Sequence, residues 1–315
     1  MATEAAQIEV EKPARPAAVA TGGYSLVDKF LLVAIGASIV GFFCFVPIYA
    51  HHSIMLWAWQ HWLPSLDQEH GKLVIPISAL IIWYHRRRLR AALIVTSNWG
   101  WWFIAAGIAL VLLGTRTQQP RITLLALPAL LFGVVLAIWG REVAKVLLFP
   151  IFFLVFMIPV GALQQASFRL QFLITGAVKA ISSLMGIHLD SVGTTLREAH
   201  GAWGFDIAEG CSGIRSLVAI IMLTAIYAHI FEPALWKKIA LMACSIGFAI
   251  VANIGRILTI ILIARMGYPE FAGGPYHEYS GFVSFPFALG AMLLCHKLVN
   301  VGAHSKTIPA TKRVS

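Results

Sequence analysis

From Phe30 to Val299 the chain is a succession of apolar runs, separated by short polar or basic stretches. This pattern constrains the fold more than anything else in the sequence. A backbone crossing the roughly 30 Å hydrocarbon layer must satisfy its own N–H and C=O groups, which leaves only helices or closed barrels. The runs are continuous rather than alternating, so helices are expected. With 59% hydrophobic and only 12% charged residues among 315, the composition excludes an ordinary soluble domain. The chain reads as an all-α polytopic membrane protein.

Eight spans are expected: Phe30 to Ala50, Leu73 to Tyr84, Trp99 to Leu113, Ile122 to Gly140, Val146 to Val160, Ser212 to Phe231, Ile239 to Met266 and Gly281 to Val299. The second is short unless residues before Leu73 join it. Residues 1–25 lack apolar periodicity and read as a disordered tail, 26–300 as one helical membrane domain, and 301–315 as a short basic tail. No cleavable signal is expected, since the first apolar run is long and starts far from Met1. Between the fifth and sixth spans, Leu163 to Leu184 has helical periodicity suited to an interfacial helix. His188 to Ala208 turns to β-branched residues around His200-Gly201, which suggests a small hairpin that either walls a cleft or caps the bundle.

Orientation follows from the basic residues, which are retained on the cytoplasmic side. With both termini inside, the two tails and three inner loops hold most of the 24 lysines and arginines, including the run Arg86, Arg87, Arg88 and Arg90. The formal charge of +10 is then explained by topology and by anionic membrane lipids, and no nucleic-acid partner is expected. The expected location is the cytoplasmic membrane, with the large loop before the sixth span facing outward.

Three polar side chains converge on that outer face. Cys211 stands where an aqueous segment meets the sixth span, in Ala208-Glu209-Gly210-Cys211-Ser212-Gly213-Ile214-Arg215-Ser216. Cys44, Cys244 and Cys295 lie inside apolar runs and read as small buried hydrophobes. With no second outer cysteine, Cys211 is expected as a free thiol. Free amides at a helix N-terminus and a nearby cation lower a thiol's pKa from about 8.5 toward neutrality. Arg215, four residues on, shares its face. The flanking glycines equally suit close helix packing.

Arg256 sits within the seventh span with Asn253 on the same face, ~15 Å below the outer helix end at 1.5 Å per residue. A guanidinium there either lines a polar cavity and holds an oxyanion or binds backbone carbonyls structurally. His277 follows in the short Gly-rich loop Gly267 to Ser280, within Pro275-Tyr276-His277-Glu278-Tyr279-Ser280-Gly281, and is suited to proton transfer near neutral pH, with Glu278 either orienting the ring or solvated.

These strings resemble the signature segments of the exosortase and archaeosortase family: that around Cys211, Asn253 to Arg256 followed by Ile257, and His277 with Gly281 four residues on. The stretch Glu69 to Pro76, leading through an apolar helix to Arg86-Arg87-Arg88, is similar to that family's N-terminal half. The resemblance spans roughly Phe30 to Leu298. It implies sortase-like cysteine transpeptidation or proteolysis outside the cytoplasmic membrane. The implied substrates are proteins with a C-terminal sorting signal: a short motif such as Pro-Glu-Pro, a transmembrane helix and a basic cluster. It makes Cys211 the nucleophile, Arg256 the catalytic arginine and His277 the catalytic histidine. Ser212, Gly213, Arg215, Asn253 and Glu278 are supporting candidates, and no cofactor or metal is implied.

Two other readings compete. His51, His52, His61, Asp67, Glu69 and His70 are metal-ligand types in one outer loop, but they lack the spacing of a zinc motif, and His277-Glu278 lacks the second histidine of a His-Glu-x-x-His helix. Alternatively, the chain is a non-enzymatic subunit of polysaccharide or lipid export, with Arg256 and Arg215 binding an anionic head group. Oligomeric state is not encoded in any motif.

Overall fold

The computed structural model describes residues 26–49, 52–63, 68–159, 161–199, 203–206 and 214–300. Helix α1 (Leu26–Phe45) is followed by strands β1 (Pro47–Tyr49) and β2 (His52–Ser53), an antiparallel pair, and by α2 (Ile54–His61). Next come α3 (Gly71–Tyr84), the basic α4 (Arg86–Ala91), α5 (Trp99–Arg116), α6 (Pro120–Ile138) and α7 (Gly140–Phe153). Helix α8 (Gly161–Leu184) leads into a sheet of β3 (Leu189–Val192), β4 (Thr195–Glu198) and β5 (Gly204–Asp206). The chain then runs through α9 (Ile214–Phe231), α10 (Leu235–Arg265), α11 (Pro269–Gly273), α12 (Pro275–Tyr279) and α13 (Gly281–Asn300).

Each expected span overlaps a helix, but the first ends early: α1 stops at Phe45, and Pro47–Tyr49, expected as its last turn, form β1 because Pro47 has no N–H with which to continue the helix. Among the described residues, α5, α6, α10 and α13 are long and apolar enough to cross a membrane; Ala34–Phe45, Gly71–Tyr84 and Arg215–Phe231 are apolar but shorter. The expected fifth span, Val146 to Val160, is displaced and divided. Its helix, α7, begins at Gly140 and gives way to a 3-10 turn over Leu154–Met157, and Ile158 is extended. Such a break leaves carbonyls without helical donors. Side chains from elsewhere supply them: Trp62 Nε1 donates to Met157 O at 2.8 Å and Arg121 Nε to Pro159 O at 2.6 Å. Ser78 Oγ donates to Pro150 O at 2.6 Å, tying α3 to α7. A large apolar core including Phe43, Ile54, Trp62, Val74, Leu124 and Met157 forms around these bonds.

The segment between α7 and α9 matches the expectation of one helix followed by β structure, with an additional strand. Strands β4 and β5 pair antiparallel across the connection containing His200-Gly201, whose own residues lie outside the described set. The further hairpin joins β3 to β4 through Gly193 and Thr194, with Val192 opposite Thr195. Gly193 has φ +64° and Thr194 has no positive φ, the pattern of a type II′ turn, which needs glycine first. Ile174 and Val178 of α8, Leu189 and Leu196 of the sheet, and Ile257, Ile260, Ile261 and Ala264 of α10 form one core, and Arg265 Nη1 meets Glu198 Oε1 at 2.8 Å. The sheet is thereby docked on the last two turns of α10.

Helices α9, α10 and α13 form the second half of the bundle, packed through Ile220, Ala249, Ala252 and Ala288. Small residues allow this close approach where apolar surroundings offer little hydrophobic drive for association.

Among the described glycines, Gly140 makes the closest approach to another backbone segment. Its φ is +79°, and a Cβ there would lie 1.6 Å from Val95 O, the residue with which it makes an isolated parallel bridge. Gly140→Ala combines about 1–2 kcal/mol of left-handed strain with that collision. The expected outcome is a clear fall in melting temperature of the detergent-solubilised protein, whereas Gly176→Ala, with nothing within 4 Å of the added carbon, leaves it nearly unchanged.

Candidate active site

Arg256 is half-buried on α10, three residues from the buried Asn253 and ~13 Å below the helix end at Arg265. The segment expected as a Gly-rich loop is instead two short helices, α11 and α12, each opened by a proline at its first turn. Proline is favoured there because the first helical N–H needs no partner and its φ is already helical. This hairpin of helices returns the chain alongside α10 and brings His277 and Ser280 level with Arg256. The depth of the arginine is thereby matched by polar groups from the following segment.

Arg256 Nε donates to Ser280 Oγ at 2.6 Å and Nη2 donates to His277 O at 2.9 Å; Ser280 Oγ in turn donates to the same carbonyl at 2.9 Å. One helical turn further along α10, Tyr276 OH donates to Thr259 Oγ1 at 2.9 Å, and that hydroxyl donates to Arg256 O at 2.7 Å. His277 is therefore flanked on both sides by residues bolted to α10. Arg256 binds a backbone carbonyl, as the structural expectation has it, whereas the cavity it borders is walled mainly by apolar groups rather than being the expected polar one. Two of its five N–H donors hold the α12–α13 junction, and the side chain also lines a cavity of about 320 Å³. Val251, Gly255 and Thr259 of α10 face Ser284 and Phe287 of α13 across that space.

A second, narrower cavity is lined by Ser216 of α9, Asn253 of α10 and Ser284 of α13. The first turn of α9 thus lies at the level of Asn253, one turn from Arg256. Cys211, Ser212 and Gly213 lie outside the described residues; β5 ends at Asp206 and α9 begins at Ile214. Arg215 Nε stands 3.4 Å from Glu69 Oε1, joining α9 to the segment before α3. Glu278 is exposed on α12. His61 Nδ1 lies 2.8 Å from Trp57 O, while His51 and Asp67 fall outside the described residues.

Ser280 was quoted in its motif without a role. A hydroxyl three residues after His277 on a helical face was a usable signal, but its partner on α10 became visible only with the return of α12. Ser216, Thr259, Tyr276 and Ser284 are the other site residues to which sequence reasoning assigned no role.

A family model described as transmembrane exosortase matches residues 59–294. The chain belongs to the transmembrane exosortase family. No curated protein and no solved structure matches it significantly. As an exosortase, it has a membrane transpeptidase or protein-sorting role in general terms. The matched stretch contains α9, α10 and α12 whole and α13 as far as residue 294, which takes in every site residue named above.

Burial pushes the His277 pKa below its ordinary value of 6.5, the neighbouring Arg256 guanidinium pushes it further down, and Glu278 partly opposes both. The imidazole is consequently neutral at pH 7. Because the unfolded chain binds this proton more readily, His277 subtracts stability as pH falls below 6.5, until its own folded pKa is reached. Arg256→Gln is expected to raise the His277 pKa, still short of 6.5 because burial remains, and Glu278→Gln to lower it. Titration of ring-labelled histidine by NMR in micelles checks both directions.

Proposed function

We propose that this exosortase cleaves and transfers proteins bearing a C-terminal sorting signal of a short motif, a transmembrane helix and a basic cluster, using Cys211, Arg256 and His277 at the outer face of the cytoplasmic membrane. The observation that carries this reading is the bonding of Arg256 to the His277 segment at the level where α9, three residues beyond Cys211, enters the bundle. A free thiol, an imidazole and a guanidinium from three separate segments are the parts a cysteine acyl-transfer site requires.

In this reading the neutral His277 takes the thiol proton of Cys211, and the thiolate is favoured by the N-terminus of α9. The thiolate attacks the scissile carbonyl and gives a tetrahedral intermediate. The unused edge of Arg256 stabilises its oxyanion. His277 then returns its proton to the leaving amine as the C–N bond breaks, leaving a thioester on Cys211. An incoming amine or a lipid-linked nucleophile, or water, attacks the thioester with His277 again as base, and the free thiol is regenerated. The substrate's own helix lies along the open cavity between α10 and α13, whose walls include the exposed Val251, Val283 and Phe287.

The partners expected are such substrate proteins and membrane lipids. Cys211→Ala is expected to abolish processing of a co-reconstituted substrate while leaving its association intact. Arg256→Gln should cost about 10²-fold or more in kcat, the scale of losing an oxyanion donor. A thioester on Cys211, trapped and located by mass spectrometry, is the direct check. If Cys211→Ser keeps full function in the cell while Arg256→Gln loses it, the head-group-binding export reading replaces this one.

A further inference from the structure

The guanidinium of Arg256 presents two edges with different roles. Its side edge, Nε with one Nη2 hydrogen, is used on Ser280 Oγ and His277 O. Its end edge is Nη1 with the other Nη2 hydrogen. Among the described residues no partner for Nη1 is seen, and the side chain borders the cavity.

Ser280 decides which edge points where. It is 2% exposed, so water does not readily replace its hydroxyl. The hydroxyl accepts from Arg256 Nε and donates to His277 O, and that carbonyl also receives Arg256 Nη2. Guanidinium, hydroxyl and carbonyl thus close a ring of three hydrogen bonds. The ring fixes rotation about the last bonds of the arginine and the height of the His277 backbone. Deleting the oxygen leaves Nε–H without its acceptor in a mostly apolar setting, and the guanidinium turns to recover a bond. A directional donor set turned in this way loses the alignment on which oxyanion stabilisation depends.

We infer that Ser280 is a positioning residue, whose hydroxyl turns the end edge of Arg256 toward the developing oxyanion while holding the backbone of His277. The inference rests on the acyl-transfer reading above and adds to it a residue whose hydroxyl is spent on Arg256 and His277 rather than on the substrate. It predicts a defect in turnover rather than in binding, because Ser280, although it borders the cavity, is 2% exposed and Ser280→Ala takes only one buried oxygen from that wall.

The experiment compares Ser280→Ala, Ser280→Thr and Ser280→Val in the full-length enzyme reconstituted in vesicles, with a substrate protein carrying the three-part tail. Ser280→Ala is expected to lower kcat about 10- to 100-fold with KM within about twofold of the parent. Threonine and valine share a shape and differ by the hydroxyl, so the Thr/Val ratio isolates the hydrogen bonds even if the pocket resents a branched side chain. A kcat ratio of about 10 or more supports the assignment. A ratio near one, or a Ser280→Ala enzyme with unchanged kcat, overturns it. Cys211→Ala in the same assay separates the two levels: if it is inactive while Ser280→Ala is normal, only the positioning role fails. If Cys211→Ala processes substrate at the parental rate, the acyl-transfer reading itself fails and takes the positioning role with it.

Discussion

A guanidinium inside an apolar bundle must be met by acceptors, and much of the site's architecture follows from how Arg256 is met. The cost of an ionic side chain away from water is large enough to order the chain around it. Here the acceptors are a backbone carbonyl and a hydroxyl rather than a carboxylate. Among the described residues no carboxylate pairs with this guanidinium, which is what the proposed stabilisation of an oxyanion requires. Meeting the guanidinium in this way requires the segment after α10 to turn back along the helix instead of leaving the bundle, which is what α11 and α12 accomplish. Ala272 at the end of this return is packed into the α8, β3, β4 and α10 core, so the sheet braces the turn that carries His277. A Cβ at Gly273 would sit 2.8 Å from the Phe205 ring, which shows how closely β5 approaches it.

The first half of the bundle solves a related problem with neutral groups. Helix α7 stops short, and prolines at 150 and 159 interrupt regular bonding near the break. The freed carbonyls of Met157 and Pro159 are met by Trp62 and Arg121, and Tyr49 pairs with the buried Thr123. These bonds turn what would be a weak point into the junction of α2, α6 and α7. Such compensation is the condition under which broken helices are tolerated in apolar surroundings. It also explains why α2 packs its buried Ile54 and Ala58 into the core despite being only eight residues long.

Much of this was legible in the sequence because apolar runs report helices directly. The expected seventh span, Ile239 to Met266, became Leu235–Arg265; its start moved outward because Trp236, Lys237 and Lys238 form helix that apolarity does not register. The helix over Leu163 to Leu184 and the β structure after it were also visible from the change of period. What escaped notice was local chemistry with short-range signals. Gly193-Thr194 is a two-residue turn between β-forming residues, and Pro269 and Pro275 mark helix starts; each was readable in principle but was absorbed into a looser expectation. The role of Ser280 was of another kind. No spacing rule links residue 280 to residue 256, because their meeting depends on a chain reversal between them. The same limit applies to Trp62 and Met157, 95 positions apart and joined by one hydrogen bond.

The end of the bundle opposite the site completes the mechanical picture. The buried Glu232, between α9 and α10, is met by His296 Nδ1 at 2.9 Å and by Asn300 of α13, and Asn300 also receives Lys237. The middle of the three helices is held by alanines at close approach and by Thr224 donating to Met292 Sδ at 3.1 Å. Helices α9, α10 and α13 are therefore tied at one end by a hydrogen-bonded polar cluster and along their length by small-residue packing, and α10 and α13 are tied again by the Arg256, Ser280 and His277 ring. Helices α10 and α13, pinned at both ends, cannot slide past one another without breaking buried polar bonds, each of which is costly to leave unmade. Groups that come from different segments are then held in register by helices rather than by loops, which is the more exact way to build a site. Among the described residues, the cavity beside Arg256 lies between the exposed faces of α10 and α13, so the lateral approach that the proposed reaction needs would release none of these ties.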